Sequence, residues 1–441
     1  MDSLHAILRD NGQAHLAEHL DLLTGSVKDG FRQQLEAVDW PRVAAMHRSS
    51  GPHTVPKLPE GLAPIASRQL DGSEQDVFWQ TGMELLAAGK AGFVLMAGGQ
   101  GSRLGYEGPK GACPIGLPGD LVLFEVIVRR LLRLGGLSGK VPAFAVMTGP
   151  ENDAATREWF ASRTGPSVPA AWPSFFLQSS APALDDEGKA LVTESGKLAL
   201  VPDGNGGIWE CLETSGILAD WKSKGVEWIH VAGVDNLLSL PCDPVHLGFA
   251  KSSGQPLSCK SVLRTDPAER VGVYVQDAAG RPRVAEYTEL PADTAAAKAS
   301  DDLPVFREAN IASHLLTLDL AERFARQDLP WHLARKKIAH VDPATGQDLS
   351  DRFGCKYERF IFDAFPAASG MSVLRVLRQD EFAPVKNAQG ADSPQTARDA
   401  ITNLHARWRA RWDDPAIPSW VDPLDSFSGE RPGQIGHQEL V

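Results

Sequence analysis

The chain has 441 residues, 43% hydrophobic and 23% charged, with a mean hydropathy of −0.20, the composition of a globular protein of roughly two to three domains. A net charge of −12 argues against a nucleic-acid groove or a polybasic membrane surface, so an anionic ligand must be met by a local cluster of Lys and Arg. Five scattered cysteines without a C-x-x-C pair, an acidic N-terminus without a leader pattern, and the lack of an apolar run near about 18 residues lead to the expectation of a reduced, cytoplasmic protein that makes no membrane contact.

Leu4, Ile7, Leu8, Leu16, Leu20 and Leu23 recur at helical spacing, which predicts amphipathic helices from residue 1 to about 45. Ser49–Ser67 is rich in Pro and Gly and reads as an irregular connector. A helix over Asp76–Ala88 is expected to stop at Gly89, with a strand at Phe93–Met96 directly after it. Helix Leu121–Leu134, strand Ala143–Met147, helix Asp153–Phe160, helix Ile208–Lys222 and the apolar strand in "VEWIHVAGVDNLL" continue the alternation. Such a pattern predicts an α/β fold with a central mixed, mostly parallel sheet flanked by helices. "RVGVYVQDAAGRPRVAEYTEL" reads as a hairpin turning around Asp277–Gly280. Ser393 and Pro394 open a helix to about Arg411, and the residues after it are expected to be irregular.

The stretch "VLMAGGQGSRLGYEGPKG" (Val94–Gly111) runs from a strand into a glycine-rich loop, the usual setting for phosphate. A dinucleotide fingerprint needs a helix opening at the glycines and an acid ending the next strand; here the helix starts near Leu121 and the next strand ends in Met147-Thr148. A P-loop needs G-K-[ST], whereas Lys110 precedes Gly111. What remains is a loop whose backbone amides from Gly98–Gly101 can approach phosphate oxygens, with Arg103 as a planar fork and Lys110 as a mobile point charge. Against this stands the plain reading of a solvated loop with two ordinary basic residues.

This stretch resembles the "L-A-G-G-Q-G-T-R-L-G…P-K-G" signature of the UDP-sugar pyrophosphorylases, in particular their UDP-N-acetylhexosamine branch, with Met96 and Ser102 replacing Leu and Thr. "FFLQSS", "VPDGNGG", "WIHVAGVDNLL", "VAEYTEL", "ANIASH", "RKKIAHVD", "KYERFIFDAF", "DEFAPVKN" and "DSPQTARDAI" follow in the family's order, from about Lys90 to Arg409. The resemblance implies a Rossmann-like nucleotidyltransferase fold in three parts: an N-terminal helical segment (1–90), a catalytic nucleotide-binding α/β domain (91–385) and a short C-terminal domain (386–441). It implies that UTP and N-acetylglucosamine 1-phosphate are joined into a UDP-sugar and pyrophosphate. Glucose 1-phosphate, or a broad range of sugar 1-phosphates, is the alternative.

The site residues follow from the same resemblance. Arg103, Lys110 and Lys386 would be catalytic. Met96, Ala97, Gly98, Gly99, Lys110, Gln178, Gly204, Asp235 and Lys356 would bind UTP; Asn205, Glu286, Tyr287, Asn310 and Lys386 would bind the sugar phosphate. Asp235, where an apolar strand ends, would also hold Mg²⁺ or Mn²⁺, as a hard cation takes a carboxylate oxygen. Taken singly, most of these have ordinary explanations: D-G-N-G-G is a turn, Asp235 a cap, and Lys356 and Lys386 solvated lysines. Ser179 stands where the family has Gly. Two rival readings stand beside this one. His15-Leu16-Ala17-Glu18-His19 fits an inverted zinc-protease motif on a helix without a catalytic scaffold around it, and a non-enzymatic nucleotide-binding module would be expected to lack the cations and the carboxylate.

Overall fold

The computed structural model describes residues 3–51, 58–162, 172–413 and 417–431. Its contacts divide into two compact units, each discontinuous in sequence: Met1–Lys57, Gln178–Ile208 and Asp328–Asp363 in one, and Leu58–Leu177, Trp209–Gln327 and Ala364–Val441 in the other. This division does not follow the three consecutive segments 1–90, 91–385 and 386–441.

The larger unit is built on a mixed sheet with ten strands among the described residues. Its parallel part runs, across the sheet, Trp228–Gly233, Ala91–Met96, Ala143–Thr148, Ser174–Leu177, with Met96 level with both Gly233 and Met147. The chain steps outward from Ala91–Met96 in one direction and returns on its other side with Trp228–Gly233. The carboxyl end of Ala91–Met96 is therefore a switch point, where open α/β sheets hold their ligands. Glu308–Thr317 pairs antiparallel with Trp228–Gly233, Ser313 lying opposite Ala232, so its N-terminal residues project past that same end.

Alternation along the strands decides the core. Phe93, Leu95, Phe144 and Val146 share one face and pack with Phe124, Ile127, Leu131 and Leu134 of helix Leu123–Ser138. Each such side chain contributes roughly 1.5–3 kcal/mol by leaving water. On the other face, Gly92 leaves room for Trp221, whose ring would lie 2.5 Å from a Cβ at that position. Ala397, Ile401, Leu404 and Trp408 form one stripe of helix Pro394–Trp412 and join this same core. Ser393 caps that helix as expected, in a capping box with Thr396.

The helix expected over Ile208–Lys222 is two, Ile208–Thr214 and Ile217–Ser223, because Gly216 takes a left-handed φ of 79° between them. Helix Gly72–Ala87 starts before Asp76, at a capping box of Asp71 and Glu74. The hairpin is Val273–Gln276 with Pro282–Ala285, its turn held by the Asp277 carboxylate, which accepts from Arg281 and Arg283. Part of the Ser49–Ser67 connector, residues 52–57, lies outside the described residues, as do 414–416 and 432–441 of the tail.

The smaller unit has helices Ser3–Asp10, Ala14–Leu22, Gly25–Glu36 and Trp40–Ser50, in keeping with the N-terminal periodicity. Leu8, Leu16, Leu20, Phe31, Leu35 and Trp40 bury against Leu184, Val192, Cys355 and Tyr357. Strand pairs Ser180–Pro182 with Leu200–Pro202 and His332–Lys337 with Phe353–Glu358 complete it.

Candidate functional site

At the switch point the chain enters the glycine loop, and one side chain holds it. Asn152, buried just before helix Asp153–Ala161, donates from Nδ2 to the carbonyls of Ala97 (2.9 Å) and Gly99 (3.0 Å) and accepts from the Gly149 amide (2.8 Å). The loop then closes on itself: Gly101 N donates to Gly108 O (2.9 Å) and Lys110 N to Gly99 O (3.1 Å). Of the Gly98–Gly101 amides expected to face phosphate, Gly101's is thus committed within the loop; Ala97's, just before them, goes to Met147 O. The Gly98 and Gly99 amides have no protein acceptor among the described residues. Short 3-10 turns, Ser102–Leu104 and Lys110–Ala112, follow the glycines, and the next α-helix starts only at Leu123. A dinucleotide fingerprint is excluded by that geometry.

Lys110 Nζ lies 3.9 Å from Asp235 Oδ2. Burial pulls the Lys110 ammonium below its ordinary range; the Asp235 carboxylate opposes this, and the charges of Lys386 and Arg103 add to it. Charges from three distant stretches therefore all act on Lys110. Asp235 comes two residues after Gly233, the strand's last residue, where a Cβ would lie 2.8 Å from Asp235 Oδ1; the missing side chain lets the carboxylate fold back over the strand end. Val385 N donates to Asp235 O (2.8 Å), which brings Lys386 alongside. Lys386 keeps 44% of its side chain exposed, and Arg103 is exposed with no partner among the described residues.

The brace behind this cluster was not legible in the sequence. Asn236 donates to Glu381 O (2.7 Å) and accepts from the amides of Leu238 (3.2 Å) and Ala383 (2.9 Å), tying the Asp235 loop to the segment that carries Lys386. Below it the buried Lys260 ammonium pairs with Asp243 (2.6 Å) and Glu381. Nothing in the sequence around Asn236 marks this role, which only its long-range partners give it.

Glu286 and Asn310 converge on Gly272. A Cβ at Gly272 would stand 2.7 Å from Glu286 Oε1, and Asn310 N donates to Gly272 O (2.8 Å). Gly272 is a second residue that sequence reasoning passed over, because a lone glycine in a strand pattern carries no signal of what lies over it. Tyr287 is 45% exposed beside this pair.

The remaining candidates belong to the smaller unit. Gln178 Nε2 donates to Gly204 O (2.7 Å), which leaves Oε1 as an acceptor. Gly204 (φ 85°) lies against Arg359, whose carbonyl would be 2.2 Å from a Cβ there. Arg359 pairs with the buried Asp203, also donates to Ser179 Oγ, and sits over the Trp331 ring (4.6 Å). Ser179, in the family's glycine position, is thereby part of the bracing: its Oγ donates to Asp203 (2.7 Å). Asn205 Oδ1 accepts from Ile361 N (3.0 Å). Lys356 is largely buried and pairs with Glu358 (2.7 Å).

His15 and His19 serve to stitch the smaller unit. His15 Nε2 donates to Ala190 O (2.9 Å) and His19 Nδ1 to Pro343 O (3.1 Å). Among the described residues no group of three or more His, Cys, Asp or Glu is placed to hold a metal ion, so the motif makes no zinc site of that kind. Among the described residues no helix is long and apolar enough to cross a membrane.

The model of the UTP–glucose-1-phosphate uridylyltransferase (UDPGP) family matches residues 68–393. UDP-N-acetylglucosamine diphosphorylase 1 of Arabidopsis thaliana is 33% identical over 96% of this chain and 88% of its own. UDP-N-acetylglucosamine pyrophosphorylase of Saccharomyces cerevisiae is 34% identical over 79% and 76%. Among solved structures, the uridine diphosphate N-acetylglucosamine pyrophosphorylase of Trypanosoma brucei in complex with inhibitor superposes with a TM-score of 0.80, at 25% identity over 97% and 93%. The UDP-glucose phosphorylase of the same organism shares the fold at 16% identity and a TM-score of 0.62, over 82% and 77%. With its glycine loop at the switch point of the sheet and these relatives over nearly its whole length, the chain belongs to the UDPGP family, on the branch of the UDP-N-acetylhexosamine pyrophosphorylases.

Proposed function

We propose that this protein is a nucleotidyltransferase that joins UTP and N-acetylglucosamine 1-phosphate into UDP-N-acetylglucosamine and pyrophosphate. The observation that carries the chemistry is the meeting of Lys110 with Asp235 in the electrostatic reach of Lys386 and Arg103, beside the two free amides of Gly98 and Gly99. The relatives named above supply the choice of sugar. Glucose 1-phosphate is less favoured, as the UDP-glucose enzyme is a more distant structural match.

A sugar phosphate oxygen attacks the α-phosphorus of UTP, one P–O bond forms, and the bond to the β-phosphate breaks to release pyrophosphate. The nucleophile is already anionic, so no general base is required. The barrier is the repulsion between two anions and their alignment in line. Lys110 and Arg103 grip the triphosphate, Lys386 grips the sugar phosphate, and the Gly98 and Gly99 amides add fixed dipoles. The donor set suits Mg²⁺ or Mn²⁺, which takes few protein oxygens and several from substrate phosphates; Asp235 would be its ligand. When bound, the ion neutralises phosphate charge. In the smaller unit, Gln178 Oε1 is an acceptor of the kind that pairs with the N3–H of uracil, with Lys356 as a phosphate partner. Within the larger unit, Glu286, Tyr287 and Asn310 offer donors and acceptors for hexose hydroxyls; within the smaller, the Asn205 side chain is a polar group of the same kind.

Pyrophosphate release from UTP, Mg²⁺ and a panel of N-acetylglucosamine, N-acetylgalactosamine and glucose 1-phosphates tests the reading. The expected result is the highest kcat/KM for N-acetylglucosamine 1-phosphate. Preference for the glucose ester would replace the sugar assignment, and no release with any ester would overturn the activity.

A further inference from the structure

In the sheet-bearing unit, strand Glu308–Thr317 carries an irregularity at the residue expected to hold the hexose. Its register against Leu257–Leu263 shifts between Asn310 and His314, and Ala312 within the shift has a left-handed φ of 54°, costly for a residue with a Cβ. Asn310 stabilises this bulge itself: its Oδ1 accepts from the Ala312 amide at 2.8 Å. A backbone amide can only donate, so this contact fixes which end of the carboxamide is oxygen. The second lone pair of the same Oδ1 accepts from the Tyr274 hydroxyl, also at 2.8 Å. With both lone pairs filled, Nδ2 is the only free face of the amide, and it has no partner among the described residues.

Tyr274 is itself held. It is 1% exposed on strand Val273–Gln276, one residue past the strand start that pairs with Ala309. His314, buried and kept neutral by burial with its pKa drawn down to about 3, points Nδ1 at Cys259 Sγ (3.3 Å) and the Tyr274 oxygen (3.5 Å). With the ring hydrogen on Nδ1, the partnerless Nε2 is a bare lone pair rather than an orphaned donor. The chain of donors then runs one way, His314 to Tyr274 to Asn310.

We infer that Tyr274 is a positioning residue for the sugar subsite: its hydroxyl locks the Asn310 carboxamide so that Nδ2 is presented as a fixed hydrogen-bond donor to a hexose hydroxyl. The inference rests on the placement of Asn310 at the sugar. Asn310 is only partly buried, and the Glu286 carboxylate, an acceptor, stands over the neighbouring Gly272. The subsite so built offers one oriented donor beside one acceptor, a pairing matched to a sugar hydroxyl that accepts from one group and donates to another.

The test is a double-mutant cycle in the full chain, with KM for N-acetylglucosamine 1-phosphate and for UTP measured separately. Tyr274→Phe keeps the ring and its packing. It should raise the sugar phosphate KM about three- to tenfold, as for loss of one hydrogen bond, with the UTP KM changed by less than about twofold. In an Asn310→Ala background the same substitution should add nothing. An unchanged sugar KM in Y274F, equal rises in both KM values, or a full effect of Y274F without Asn310 would each overturn the inference. If N310A alone leaves the sugar KM unchanged, the sugar placement fails and the inference with it. A raised KM in N310A with Y274F silent removes the inference alone.

Discussion

Lys110 and Asp235 face each other at 3.9 Å, with 18% and 28% of their side chains exposed. The ammonium is held below its ordinary range by burial, and Asp235 is the strongest nearby charge that raises it again. In the free protein, competitive labelling of lysines against pH should show Lys110 losing its proton before surface lysines do. Asp235→Asn removes the charge that raises the pKa and should lower it further; Lys386→Met removes a like charge and should raise it. A Lys110 that titrates with the surface lysines in all three proteins would sink this account.

Arg103 makes no hydrogen bond or ion pair with any described residue and is exposed on a short 3-10 turn. Its removal should leave stability within about 0.5 kcal/mol. Arg103→Ala should nevertheless lower turnover by about 10²–10³-fold, the scale of losing one preorganised charge at a phosphoryl transition state. Urea unfolding and pyrophosphate release on the same preparation check both halves; intact turnover takes Arg103 out of the mechanism.

Asn236 satisfies two amides and one carbonyl while 7% exposed. Asn236→Ala leaves those groups unpaired and should cost about 1–3 kcal/mol of stability. Since they join the Asp235 loop to the segment bearing Lys386, kcat should fall by more than about tenfold at temperatures where the variant is folded by circular dichroism. A destabilised variant with full kcat would reduce Asn236 to a structural residue.

Histidines give the fold an acid limit. His314 and His405 are buried and neutral, with pKa values drawn down to about 3 by desolvation; His230 and His246 are also pulled well below their ordinary range, for the same reason. Each binds a proton in the unfolded chain before it can in the folded one. Stability is thus fully present above the unfolded value of about 6.5 and falls as pH drops towards the folded values, by up to about 1.4 kcal/mol per pH unit per histidine. Urea midpoints should decline between pH 7.5 and 5. His405→Gln, which keeps an acceptor for the Val421 amide, should flatten that decline; an unchanged slope would rule out His405 as a contributor.

The local elements were legible because their signals are local. Ser393 and Pro394 cap a helix by geometry confined to one turn, and the continuous apolar runs Phe93–Met96 and Ala143–Met147 declare buried strands. The break at Gly216 was missed because a single glycine within helical spacing does not say which hand it takes. The ordered motifs named the candidate residues, and among them the charges of Arg103, Asp235 and Lys386 all act on Lys110.

Sequence alone therefore determined the class of fold and the glycine loop with its two cations, because residue type and short spacing carry that information, while the reaction was implied by the resemblance of the ordered motifs. Tertiary structure alone decided which amides stay free at Gly98 and Gly99, and that Asn152, Asn236 and Arg359 hold the candidate residues in place. It also decided that Tyr274 fixes one end of the Asn310 amide. The reason is directional: a hydrogen bond exists only where donor and acceptor are brought within about 3 Å by distant parts of the chain, and no spacing within one segment records that meeting.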